Sequence, residues 1–410
     1  MVASSDKSLK DNLIESEAVP DDLILRSAAV FGPNASGKTN VLYALNIVRH
    51  WVIYSHANQR DTPLQCDPFR LDSVSRRRPS RFEVVFVENG VKYIYGLSVK
   101  GNQIIDEYLY HFPNRRKALL FKRTETKTFV FTKHKRVQNQ IAKITADNVL
   151  YLSRATQMNY EGVVPAFKWF SERLRTIGPA GQLDMGLVDF TARGIMKDPV
   201  FRDAVLNALH FADIGISGIN ASVEEFKEAE KALPSKGPIK ELVDSMPAVV
   251  KQALDRLLIT TVHKVRGKKN EELVEEFNFF TDESEGTKRF FTIIGPLIAA
   301  FREGHVMIID ELDVKMHDFL VRFLIEMFHD SSQNSKNPQL VFTTHNVNLL
   351  DLAMFRRDQI YFTEKSPERG NTRMYSLCEF SPRKEGNILK SYLSGKYGAV
   401  PYIQQRRVVP

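Results

Sequence analysis

Gly32-Pro33-Asn34-Ala35-Ser36-Gly37-Lys38-Thr39 fits the spacing G-x-x-x-x-G-K-[ST] at every position. In a loop of this kind the backbone N–H groups converge, and the start of the following helix adds partial positive charge, so together they cradle a polyphosphate. Lys38 would reach the β- and γ-phosphates, and the Thr39 hydroxyl would complete the shell of a Mg²⁺ ion. An apolar run, Ala28-Ala29-Val30-Phe31, precedes the loop, and an amphipathic one, Val41 to Val48, follows it. That strand–loop–helix context points to a bound nucleoside triphosphate rather than to a Gly-rich turn that merely caps a helix. The candidate nucleotide-binding residues here are Gly32, Asn34, Ser36, Gly37, Lys38, Thr39 and Asn40.

Two further strand-like runs end in polar groups. Val306-Met307-Ile308-Ile309 leads into Asp310-Glu311, and Leu340-Val341-Phe342-Thr343-Thr344 leads into His345. The C-terminal ends of buried parallel strands are where α/β sheets bind ligands. Asp310 is the natural Mg²⁺ partner for Thr39, directly or through water. Glu311 would polarise the attacking water as a general base, and His345 would donate to the γ-phosphate. Ser284-Glu285-Gly286, whose serine lies 26 residues before Asp310, opens the apolar helix Phe290–Phe301. It fits either an anion site at a helix N-terminus or an ordinary N-cap.

The elements that must position these groups are legible as periods. Phe82–Val87, Asn89-Gly90 and Val91–Val99 read as a hairpin, with more short strands near Ile104–His111, Ala118–Lys122 and Thr128–Thr132. Val149–Ser153 is expected to be a strand returning to the main sheet. From 162 to 280 the spacing turns helical, at Phe201, Ala204, Val205, Ala208 and Leu209, and at Val250, Ala253, Leu254, Leu257 and Leu258. Ser222-Val223-Glu224-Glu225 fits a capping box, and turn-rich breaks fall at Gly178–Gly181 and Pro234–Pro238. After 285 helices and strands alternate: Phe290–Phe301, kinked at Pro296, then Val306–Ile309, Phe319–Phe328 and Gln339–Thr343. The alternation implies one parallel sheet covered on both faces, which the phosphate loop joins from the far end of the chain.

Composition bounds the rest. The 410 residues suggest two or three domains, and 43% hydrophobic with 26% charged residues is a globular balance. Cys66 and Cys378 make no disulfide framework, which fits a reducing compartment. The longest apolar run has 12 residues, too short to span a bilayer, and Met1–Asp6 does not read as a signal peptide. A cytoplasmic protein without membrane association is expected. The net charge of +8 is concentrated: residues 70–143 hold 17 Lys/Arg against 6 Asp/Glu. That segment is an electrostatic footprint for nucleic acid, a solvated face, or a surface for an acidic partner.

The order phosphate loop, distant Ser-x-Gly, Asp-Glu strand, Thr-His strand resembles the ATP-binding-cassette heads of the SMC/RecF class. More closely, the chain is similar to the OLD-related, RloA-like ATPases of prokaryotic abortive-infection and phage-defence operons. The matching residues are Gly32–Asn40, Ser284–Thr287, Ile309–Leu312 and Thr343–Asn346, with weaker matches at Pro68–Leu71 and Gly395–Pro401. The resemblance implies an α/β fold: an ABC-type head over 1–60 and 281–410, a basic antiparallel β-subdomain over 61–160 and a helical insertion over 161–280. It implies ATP and Mg²⁺ as cofactors, ATP hydrolysis, and a homodimer or higher oligomer in which Ser284 and Gly286 of one subunit close over the ATP of another. Gln157 would sense Mg²⁺ and the γ-phosphate, or it is a plain polar helix residue. Relatives carry a β-strand ahead of the segment matching Val2–Asp6, and Ser-Leu-His-Pro where this chain has Lys315-Met316-His317-Asp318. OLD nucleases continue into an acidic nuclease domain past the point matching Pro410, so the expected partner is a separate effector, a nuclease, under ATPase control. A DNA-repair ATPase of the RecF/SMC kind and an ATP-bound scaffold that does not hydrolyse are the alternatives.

Overall fold

Residues 13–31 make three strands. β1 (Leu13–Ile14) and β2 (Ile24–Leu25) pair antiparallel, and β3 (Ser27–Phe31) follows with every residue buried. Burial on both faces is what a central parallel strand demands, and Ala28-Ala29-Val30-Phe31 supplies it. The glycine loop then turns into α1 (Lys38–Tyr54). The structure is a computed structural model that describes residues 1–179, 183–212, 215–224, 245, 256–266, 272–382 and 386–401. The chain divides into two compact units, one of Met1–Pro179, Glu303–Asp313 and Val321–Pro410, the other of Ala180–Arg302 and Val314–Leu320.

In the first unit, β4 (Ser80–Glu88), β5 (Val91–Lys100), β6 (Gln103–His111), β7 (Ala118–Thr124) and β8 (Thr128–Phe131) form one antiparallel meander. Asn89 and Gly90 both take left-handed backbone, φ 50° and 70°, the two-residue turn that matches strand twist. One face of this sheet packs with α1 in a shared core that includes Trp51, Tyr95, Leu109, Phe121 and Phe170. Phe86 stacks on Trp169 at 4.4 Å.

Helices α2 (Lys135–Lys143), α3 (Tyr151–Gln157) and α4 (Val164–Lys168) follow. The strand expected at Val149–Ser153 is corrected: Tyr151 starts α3. The cause lies far away in sequence. The wholly buried Glu107 carboxylate accepts from Tyr151 N (2.6 Å), Leu152 N (3.0 Å) and the Tyr95 hydroxyl (2.9 Å), so it caps the helix. The strand that does return to the main sheet is β9 (Leu174–Ile177).

The second unit contains α5 (Met185–Lys197) and α6 (Pro199–Phe211), each started by an aspartate that accepts two backbone N–H groups, Asp184 and Asp198. The helical spacing read at Phe201, Val205, Ala208 and Leu209 is the buried face of α6. Next come β10 (Ile216–Glu224), β11 (Arg256–Arg266) and β12 (Glu272–Asn278), a three-stranded antiparallel sheet. Two readings are corrected here. Ser222, Val223 and Glu224 lie in β10 instead of capping a helix, and Leu257 and Leu258 lie in β11. The β-branched run Ile259-Thr260-Thr261-Val262, paired with β10 throughout and with β12 from Thr260 on, overrides the local helical period. Glu225, Val250, Ala253, Leu254, the break at Pro234–Pro238 and part of that at Gly178–Gly181 fall outside the described residues. Helix α7 (Glu285–Glu303) runs on through Pro296.

The chain then completes the main sheet with β13 (Val306–Ile309), α8 (Asp318–His329), β14 (Gln339–Thr343), β15 (Ile360–Lys365) and β16 (Thr372–Ser376), followed by α9 (Ile388–Leu393). The sheet order is β16-β15-β3-β14-β13-β9, with β16 the one antiparallel strand among those described. Among the described residues no helix is long and apolar enough to cross a membrane.

A buried polar cluster lies at β3. The Ser27 hydroxyl is 2.7 Å from His329 Nε2 and accepts from Gln359 Nε2 at 2.8 Å. Burial, with Arg26 close by, depresses the His329 pKa to about 4. Folding therefore favours the neutral ring. Its stabilising share is complete above the unfolded value near 6.5 and is lost as pH falls toward 4, worth about 3 kcal/mol. His329→Gln is expected to flatten this part of the pH dependence of urea unfolding between pH 7 and pH 4. An unchanged pH slope would contradict it.

Candidate functional site

Strands β3, β14 and β13 are neighbours and parallel, so their C-terminal ends emerge side by side. β3 leads into the glycine loop, β13 into Asp310 and Glu311, and β14 into Thr344 and His345. The sheet thus brings together residues nearly three hundred positions apart. Residues 34–40 line an open cleft of about 530 Å³, with Glu311 and His345 on its wall. His345 Nε2 and Glu311 Oε1 are 3.8 Å apart, and both side chains are partly exposed to the cleft.

The loop is held from behind. Lys38 is buried, and its ammonium donates to Gly32 O at 2.7 Å and Pro33 O at 3.1 Å. Desolvation lowers its pKa, against the opposing pull of Glu311, Asp310 and Asp313. A side chain at Gly32 would strike Thr363 O at 2.5 Å. Gly37 sits at φ 100°, and a Cβ there would meet Thr372 Oγ1 at 2.4 Å. Only glycine fits either position.

Behind the acidic pair, Thr343 does work that the sequence did not announce. Its hydroxyl donates to Asp310 Oδ1 at 2.5 Å and accepts from Glu311 N at 2.8 Å. Asp310 N donates to Ile177 O of β9, and Leu312 N to Thr343 O. These anchors hold Glu311 in left-handed backbone, φ 54°, an arrangement costing roughly 1–2 kcal/mol that persists only where neighbours over-determine it.

Asp310 is 3% exposed, and its second oxygen, Oδ2, has no hydrogen-bond partner among the described residues. A buried carboxylate oxygen without a donor fits a cation position beside the loop. No group of three or more His, Cys, Asp or Glu that would cage a metal occurs among the described residues. Magnesium needs none, since it binds through one or two protein groups plus phosphate and water.

Ser284 and Gly286 belong to the second compact unit. There the Ser284 hydroxyl accepts from Thr287 N at 3.1 Å and lies 2.9 Å from Thr287 Oγ1, capping α7. A Cβ at Gly286 would meet Lys315 O at 2.9 Å. Gln157 closes α3 and accepts from Arg154 at 2.5 Å; it is not part of the cleft lining.

Solved structures similar to the chain include an SMC head domain from Thermotoga maritima, at 14% identity and TM-score 0.36, covering 89% of this chain and 96% of that one. A Smc head domain with an extended coiled coil bound to the C-terminal domain of ScpA, from Pyrococcus furiosus, is 10% identical at TM-score 0.35, covering 90% and 95%. CbiO1 from Clostridium perfringens, part of the ABC transporter complex cbiONQ, is 11% identical at 0.32, covering 92% and 87%. A search of curated proteins found no match. The family model described as "AAA domain, putative AbiEii toxin, Type IV TA system" matches residues 27–351. That is well over half of the chain, which therefore belongs to this family and carries its AAA-type ATPase domain.

Proposed function

We propose that this chain binds ATP with Mg²⁺ and hydrolyses it to ADP and phosphate, and that ATP-driven pairing of two copies controls a separate effector, a nuclease, in prokaryotic anti-phage defence. The observation that carries the catalytic part is the meeting of Lys38, Glu311 and His345 beside one loop, with Asp310 buried behind them. Thr39 and Asp310 Oδ2 would hold the metal, which when bound neutralises phosphate charge. Loop N–H groups and the Lys38 ammonium bind the phosphates, the ammonium exchanging the Gly32 and Pro33 carbonyls for phosphate oxygens. Glu311 orients water and takes its proton, while His345 donates to the γ-phosphate.

The resemblance to abortive-infection ATPases supports the pairing and the effector. Ser284 and Gly286, at the start of α7, would close over the nucleotide of a second copy, helped by the helix N-terminus. The test is mass by light scattering. With a non-hydrolysable ATP analogue and Mg²⁺ the mass is expected to double, and Ser284→Arg to stay monomeric while still binding nucleotide. A mass indifferent to nucleotide overturns the pairing.

A DNA-bound role has its own observation. The β6–β7 turn with Arg115, Arg116 and Lys117, and the start of α2 with Lys133, Lys135 and Arg136, lie at the same end of the antiparallel sheet, all exposed. Duplex binding that weakens steeply with salt would favour a repair-type ATPase.

A further inference from the structure

The glycine loop rests on the β15–β16 hairpin, which lies downstream of both strand-end motifs and outside the family match. Ser36 is the contact point. Its hydroxyl is 2.7 Å from Thr363 Oγ1, which also donates to Phe31 O at 3.3 Å. Its carbonyl accepts from Thr372 Oγ1 at 2.8 Å. The Thr372 side chain, its hydroxyl oxygen nearest, fills the space where Gly37 has no side chain.

We propose that Thr372 is a positioning residue for the nucleotide loop, which rests on the reading of that loop as the ATP site. The argument is peptide geometry. In a planar trans peptide the C=O and the next N–H point in opposite directions. Thr372 holds the Ser36 carbonyl toward the hairpin, so the Gly37 N–H is turned away from the hairpin, as a phosphate donor must be. Lys38 fixes the Gly32 and Pro33 carbonyls only while no nucleotide draws its ammonium away. Thr372 is not consumed in this way, so it keeps the loop's shape through binding.

The hairpin is itself braced by the chain's later residues. Phe362 stacks on Tyr392 at 5.4 Å and on Tyr397 at 6.0 Å. The Tyr375 hydroxyl donates to Tyr397 O at 2.7 Å, and that of Tyr392 to Ala399 O at 2.6 Å. A Cβ at Gly398 would meet the Tyr375 hydroxyl at 2.7 Å, so the Gly395–Pro401 motif is the seat of the hairpin. Thr372 is thereby presented to Ser36 by a rigid support.

The experiment compares ATP affinity and turnover of the full chain with Thr372→Val and Thr372→Ser. Valine keeps the shape and the strand preference and removes the hydroxyl; serine keeps the hydroxyl. Without the hydroxyl the empty loop relaxes and ATP must restore its shape, so Thr372→Val is expected to weaken ATP binding about fivefold, the scale of one neutral hydrogen bond, with kcat and Tm close to wild type. Thr372→Ser restores the affinity. A Thr372→Val chain that binds as wild type, or a serine variant as weak as the valine one, overturns this inference alone. A wild-type chain that binds no ATP overturns the parent reading and this inference with it.

Discussion

Glu311→Gln is expected to slow ATP turnover by about 10²- to 10⁴-fold while leaving ATP bound. Glutamine keeps the length and shape of the side chain but does not accept the proton of the attacking water. The anchors that set the backbone, Thr343 Oγ1 on Glu311 N and Ile177 O on Asp310 N, do not involve the carboxylate and survive the change. His345 loses a charged neighbour at 3.8 Å, which adds to the effect on chemistry without removing a phosphate contact. Because binding persists and release does not follow, the variant should accumulate as an ATP-bound pair, read by light scattering and by nucleotide content after gel filtration. Turnover at the wild-type rate would remove Glu311 from the mechanism. It would leave the bound-nucleotide scaffold as the better account.

Lys38→Ala is expected to raise the ATP dissociation constant by about 10²-fold or more, the cost of deleting a buried charge that pairs with phosphate. The fold should hardly respond. Lys38 is desolvated enough that its pKa is lowered, so the folded chain gains relief from an unfavourable burial as it loses two hydrogen bonds to loop carbonyls. Lys38→Arg should not rescue binding, because a planar fork does not replace a compact ammonium in a site shaped around it. Calorimetric titration for affinity and a melting curve for stability separate the two effects. Retained affinity would mean that the loop holds no phosphate.

The site was readable where chemistry and local structure coincide. The glycine loop, the Asp310-Glu311 strand end and the His345 strand end each carry their own signature, and apolar runs with polar termini place them at the C-terminal ends of parallel strands. The Asn89-Gly90 turn was equally plain, since two left-handed residues in a row leave few choices of sequence. What stayed hidden depends on partners distant in the chain. Val149–Ser153 is a buried apolar run that suits a strand or a helix equally, and Glu107 decides for the helix from 44 residues upstream of Tyr151. Leu257 and Leu258 read as helical by spacing until β10 pairs with them. Thr343, Thr363 and Thr372 look like ordinary strand residues, and their hydroxyls matter only because the fold sets Thr343 behind the acidic pair and Thr363 and Thr372 behind the glycine loop.

The most direct test of the whole account is titration of the purified chain with ATP, with and without Mg²⁺, beside Asp310→Asn. The account predicts one nucleotide per chain, bound more tightly when Mg²⁺ is present, and an Asp310→Asn variant in which the metal no longer helps. Binding that ignores Mg²⁺ in the wild type, or no saturable binding at all, would contradict the claim that Lys38, Thr39, Asp310, Glu311 and His345 serve a single triphosphate.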